Sequence, residues 1–181
     1  MSNQVILWSM LILPWFTFLF LKKEDIKYYM PVAIFSGFTS AIISEAGAVL
    51  GFWINQETTY PLSQIMPFDL GLNVVITIWI FKYTYRRFWI YLIINTILDI
   101  GFNFFLFNQF FSSRGILYFV GISPFQSLLI TLTHALLLYG YQIWQEDALF
   151  VSEKSCSFSA ILHPAVTKPL PENHENKADK E

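Results

Sequence analysis

Glu45, Asp99 and His134 are ionisable side chains set in stretches otherwise almost free of charge. Met30 to Ile54 carries only Glu45, and Phe88 to Phe111 carries only Asp99. Gly115 to Gln145 has no Asp, Glu, Lys or Arg, and His134 lies within it. A charge at the centre of a bilayer costs about 2.5–3.5 kcal/mol even on a lenient insertion scale, so such residues need partners or a task. Two carboxyls and an imidazole at one depth can share or relay a proton, which suits a proton-coupled carrier. The same set can hold a divalent metal such as zinc with a position open to water, which suits an intramembrane hydrolase or lipid-modifying enzyme. A third chemistry is orientation of a small ligand's head group. Only His134 among the three histidines lies in an apolar stretch, which weighs against the metal.

Residues three, four or seven apart share a helical face, and the polar residues around this trio keep that spacing. Asn95, Asp99 and Asn103 form one stripe; Asp69, Asn73 and Thr77 form a second; Ser127, Thr131 and His134 form a third. Ser36, Ser40 and Ser44 run on to Gly47 and Gly51. Hydroxyls and amides alone serve as interhelical glue at about 0.6 kcal/mol per bond. Ionisable groups exceed what glue requires, so Glu45, Asp99 and His134 are the candidate midplane cluster. Asn73, Thr77, Asn95, Asn103, Ser127 and Thr131 are its supporting stripe. Asp69, next to Pro67, is expected to cap a helix. Ser127, Thr131 and His134 share one stripe and so do not converge as a nucleophile and its base.

The elements that must carry these residues are membrane helices. Of 181 residues, 55% are hydrophobic and 13% charged, about half the charge of an ordinary soluble domain. The net charge of −2 gives no footprint for nucleic acid. A hydrocarbon core about 30 Å thick needs roughly 20 apolar residues per helix. Charge gaps then give five spans, near 5–21, 31–54, 68–85, 88–111 and 123–144, in an all-α polytopic bundle over 1–151. The segment 152–181, with Pro164, Pro169 and Pro171, is expected to be a flexible cytoplasmic tail. With the N-terminus outside, Lys22, Lys23, Lys27, Lys82, Arg86, Arg87 and the lysines of the tail fall inside, and only Arg114 falls outside. The run from Ile116 to Ile122 is too short to cross and is expected in the outer interface or as an extension of the fifth helix. The first span is expected outside a polar bundle of spans two to five. Cys156 is a lone thiol in the tail, so no disulfide forms within the chain.

Leu13, Pro14 and Trp15, the run Lys22, Lys23, Glu24, Asp25, Ile26, Lys27, Tyr28, Tyr29, Met30 and Pro31, and then Glu45, Gly47, Gly51 and Trp53 carry a resemblance. They resemble a family of small uncharacterised multi-pass membrane proteins of endospore-forming bacteria. That resemblance implies a bacterial cell-membrane protein of about five helices and brings no activity or catalytic residue. The expectation is therefore an integral membrane protein whose polar cluster serves small-molecule or proton-coupled transport or ligand sensing. The alternatives are a membrane-embedded metal-dependent enzyme and a structural or regulatory subunit. The bilayer is its first partner, with a homo-oligomer or another membrane protein next. No cofactor is expected beyond the divalent metal of the enzyme alternative, which the trio would hold.

Overall fold

A computed structural model describes residues 2–60 and 66–162, with side chains placed as far as Ala148. Five helices account for most of these residues. Helix α1, Asn3–Phe16, ends in a tight turn over Thr17–Phe20, where the Thr17 hydroxyl donates to the Pro14 carbonyl at 2.7 Å. Helix α2, Lys23–Val49, has Glu24 and Asp25 in its first turn, where they complement the positive end of its dipole. It stops because Gly51 takes φ +75°, a left-handed conformation costly for other residues.

Strand β1, Trp53–Asn55, follows directly and pairs antiparallel with β2, Leu117–Phe119, in the register Trp53↔Phe119, Ile54↔Tyr118 and Asn55↔Leu117. The apolar run after Ser112 therefore forms a strand rather than an extension of α5. Its backbone groups find partners on β1, which a lone segment beside a helix would lack.

Helix α3, Val74–Thr84, is entered through a wide π-helical lead, Phe68–Asn73. Helix α4, Phe88–Ile100, runs on as a π-helical extension, Gly101–Phe111. Wide turns of this kind are rare and cluster at functional sites. Arg86 at φ +67° makes the sharp turn between α3 and α4. Helix α5, Pro124–Leu162, opens with a reciprocal cap: the Gln126 amide N–H donates to Ser123 Oγ at 3.3 Å, and the Ser123 N–H donates to Gln126 Oε1 at 2.8 Å.

Met1–Ile143 and Trp144–Glu181 are separate compact units. In the second, α5 stays helical through Leu162, past the start expected for the tail, while 163–181 lies outside the described residues.

Within the first unit the core has two apolar clusters. One gathers Tyr29, Val32, Ala33, Ile78, Phe81, Tyr91 and Leu138, and the other Leu7, Trp53, Met66, Phe111, Ile116 and Leu117 near the sheet. Helix α1 packs on the α3 lead, where Gly71 lets the Met10–Leu11 backbone approach too closely for any side chain. Large apolar side chains also cover the outside, among them Phe38 and Ile42 of α2, Ile93 and Ile97 of α4, and Leu136 and Leu137 of α5. Three helical segments, Asn3–Phe20, Lys23–Val49 and Phe88–Phe111, are long and apolar enough to cross a membrane.

Candidate functional site

The serine stripe of α2 faces α3, and that packing builds the site. Ser36 is fully buried, and its Oγ accepts from Asn73 Nδ2 at 3.1 Å and lies 3.1 Å from Thr77 Oγ1. Thr77 Oγ1 also lies 2.8 Å from the Asn73 carbonyl. One assignment satisfies every contact: Thr77 donates to that carbonyl, and Ser36 donates to Thr77. One turn further along α2, Ser40 Oγ donates to Asp69 Oδ1 at 2.5 Å. Asp69 is 5% exposed, and its second oxygen, Oδ2, is buried without a hydrogen-bond partner. Asp69 thus turns into the bundle and makes no capping bond to the helix it begins, contrary to its expected role. It belongs to the stripe through Asn73 and Thr77 on α3 and its lead.

Helix α5 closes the other side. Thr39 Oγ1 lies 2.7 Å from His134 Nε2 and 2.7 Å from its own helix carbonyl at Phe35. Thr39 has one hydroxyl proton, so both contacts are satisfied when it goes to the Phe35 carbonyl and His134 Nε2–H donates to Thr39. That tautomer leaves Nδ1 as an acceptor. Thr131, one turn before His134, donates its hydroxyl to the Leu128 carbonyl at 3.0 Å, and the buried Oδ2 of Asp99 has no hydrogen-bond partner. Asn103 Nδ2, in the extension, and Asn95 Nδ2, in α4, donate to the carbonyls of Asp99 and Tyr91, both at 2.9 Å.

These side chains enclose two adjoining lobes. The larger, about 100 Å³, lies beside the sheet and is lined by Ser40, Ser44, Asp69, Ser127, Thr131 and the rings of Trp53, Phe68, Phe107 and Phe119, among others. The second, about 70 Å³, is lined by Asn73, Thr77, Asn95, Asp99, Asn103, Thr131 and His134, among others. Ser40, Phe68, Phe107 and Thr131 line both. Each lobe has room for several waters at about 10–15 Å³ apiece. Among the described residues, neither lobe is lined by Lys or Arg.

The two ends of the bundle differ. Asp25 and Lys82 pair at 3.2 Å, and Ser40 and Asp69 pair fifteen residues further along α2, about 22 Å away along its axis. Aromatic rings fill the end nearer Lys82. Tyr139 lies against Phe81, Phe88 and Tyr91 with ring centroids 6.4, 5.1 and 5.0 Å away, and the Tyr91 hydroxyl donates to the Ala135 carbonyl at 2.8 Å. At the other end the sheet lines the larger lobe through Trp53, Leu117 and Phe119. Trp53 Nε1 donates to the Ser44 carbonyl at 3.1 Å, and its ring sits where a Cβ on Gly47 would be.

Asp99 and His134 therefore line one lobe together with five of the six supporting residues, and Ser127 lines its neighbour. Glu45 does not join them. It is exposed, in a shallow outward groove with Phe38, Ile42, Ala46, Val49 and Leu50. A helix taken to run over 31–54 centres near Glu45, whereas α2 runs over Lys23–Val49 and centres on Ser36. Glu45 thus lies about one turn from its end. Among the described residues no three of His, Cys, Asp and Glu are grouped as a metal site. Asp69, Thr39 and Ser40 are members of the site that the trio omits. For Asp69 the signal was its spacing from Asn73 and Thr77; for Thr39 there was none. No family profile matches the chain, and no curated protein or solved structure is significantly similar to it.

Proposed function

We propose that the chain is a five-span protein of a bacterial cytoplasmic membrane, N-terminus outside, that admits a small polar ligand to its two-lobed cavity from the outer side and senses it. The inverted distribution supports the membrane: apolar side chains lie outside, and Asp69, Asp99, His134, Asn73 and Asn103 lie within. Beyond the three long apolar helices, α3 with its lead and α5 supply the remaining spans, shorter or more polar because their polar residues face inward. Orientation follows from charge. Lys22, Lys23, Lys27, Lys82, Arg86 and Arg87 fall at or near the ends that the aromatic layer closes, and Arg114 falls near the sheet.

The observation that carries the reading is that Asp69, Asp99 and His134 line adjoining lobes with no compensating Lys or Arg among the described lining residues. Ionisable groups within membrane spans mark ligand, ion or proton sites by default. Phe81, Tyr91 and Tyr139 would have to part before a ligand could pass through, so this geometry favours sensing over transport. The ligand set of the hydrolase alternative includes Glu45, which lies in the outward groove on the other face of α2.

A single thiol tests the reading. In a Cys156→Ser background, Ser127→Cys is expected to react with a membrane-impermeant thiol reagent added outside intact cells. Arg114→Cys should react as well, and Lys27→Cys should not. An unreactive Ser127→Cys beside a reactive Arg114→Cys would remove the outward cavity.

A further inference from the structure

Resting on that reading, we infer that the ligand is a small organic cation, an ammonium group held by Asp69 inside a cage of aromatic rings. Four rings line the lobe beside the sheet, each from a different element: Trp53 of β1, Phe68 of the α3 lead, Phe107 of the α4 extension and Phe119 of β2. Rings grouped around one acidic group attract cations through their electron-rich faces, and quaternary and primary ammonium groups are the usual guests. Asp69 supplies the charge, since its Oδ1 is occupied by Ser40 and its buried Oδ2 has no hydrogen-bond partner.

The remaining polar groups of this lobe are the hydroxyls of Ser40, Ser44, Ser127 and Thr131. An anion would meet a carboxylate with no cation beside it among the described residues. A hard metal ion draws mainly on carboxylates and carbonyls, and Asp69 is the one carboxylate among the described residues that line this lobe. An ammonium satisfies both features at once: its charge pairs with Asp69, and its methyl or methylene groups lie against the rings.

Charge-selective labelling tests this. The probes are the trimethylammonium-ethyl and sulfonatoethyl methanethiosulfonates, reacting with Ser127→Cys in the Cys156→Ser protein in phosphatidylglycerol vesicles. The ratio of their rates at Ser127→Cys is expected to exceed the ratio at Arg114→Cys by about 10-fold or more. Asp69→Asn should bring it down to the Arg114→Cys value. Phe119→Leu, which removes a ring and keeps an apolar side chain, should lower it several-fold, and it decides the matter if Asp69→Asn does not fold. Free ethanolamine should slow the reaction. If it does so in phosphatidylglycerol alone, the guest is a soluble amine; if slowing instead needs phosphatidylethanolamine in the vesicle, the guest is a lipid headgroup. Equal ratios at the two thiols, a ratio that neither variant changes, or no slowing by either amine would overturn the ammonium and leave the cavity standing. No reaction of either reagent at Ser127→Cys, with Arg114→Cys reactive, would take down both.

Discussion

Helix α2 shows two faces that share a charge-poor sequence and differ in everything else. One face carries Ser36, Thr39, Ser40, Ser44 and Gly47, each set against another element: Ser36 meets Asn73 and Thr77, Thr39 meets His134, Ser40 meets Asp69, and Gly47 meets Trp53. The other carries Phe38, Ile42, Glu45 and Val49, and it is exposed. The face with no formal charge organises the site, and the face with the only carboxylate within Met30 to Ile54 does not. On a charge-poor helix, polarity that meets a partner outweighs charge that does not, because only the former has its desolvation offset by hydrogen bonds.

Substitutions on the two faces should separate them. The largest effect is expected from Gly47→Leu, because a side chain there overlaps the Trp53 ring and must displace the sheet from the cavity. Overpacking of this kind costs about 1–3 kcal/mol, so the thermal midpoint in detergent should fall and the summed fluorescence of the six tryptophans should shift. An unchanged midpoint and spectrum would mean that Trp53 is not seated on Gly47. The smallest effect is expected two residues away, from Glu45→Leu. Exposed positions without partners change stability by less than about 0.5 kcal/mol, so folding and the cation preference of Ser127→Cys labelling should both persist. Loss of either would return Glu45 to the site and erase the contrast between the faces.

Much of the cavity was legible in the sequence because its residues keep helical spacing on their own elements. Asn95, Asp99 and Asn103 on α4, Asn73 and Thr77 on α3, and Thr131 and His134 on α5 share stripes that pack inward. What spacing does not carry is where a helix stops and how it is rotated. The start at Lys23, earlier than the charge gap suggests, and the break at Gly51 together move the centre of α2 from near Ile43 to Ser36. The pairing of Ile54 with Tyr118 joins segments far apart in the chain, so the sheet above the cavity left no local pattern. Asp69 had the spacing of a stripe and the sequence context of a cap, and its pairing with Ser40 across helices decides between them. Such long-range contacts are invisible to periodicity along a single element.

With the chain in a membrane as proposed, the half-buried face of α2 is expected to be wet and its exposed face dry. Ser40 and Ile42 are two residues apart, one lining both lobes and the other 52% exposed on the outside. In the Cys156→Ser protein reconstituted in vesicles, Ser40→Cys should react with a water-soluble, membrane-impermeant thiol reagent, while Ile42→Cys should react only with a lipid-soluble maleimide. Reaction of Ile42→Cys with the water-soluble reagent, or protection of Ser40→Cys from it, would contradict the account.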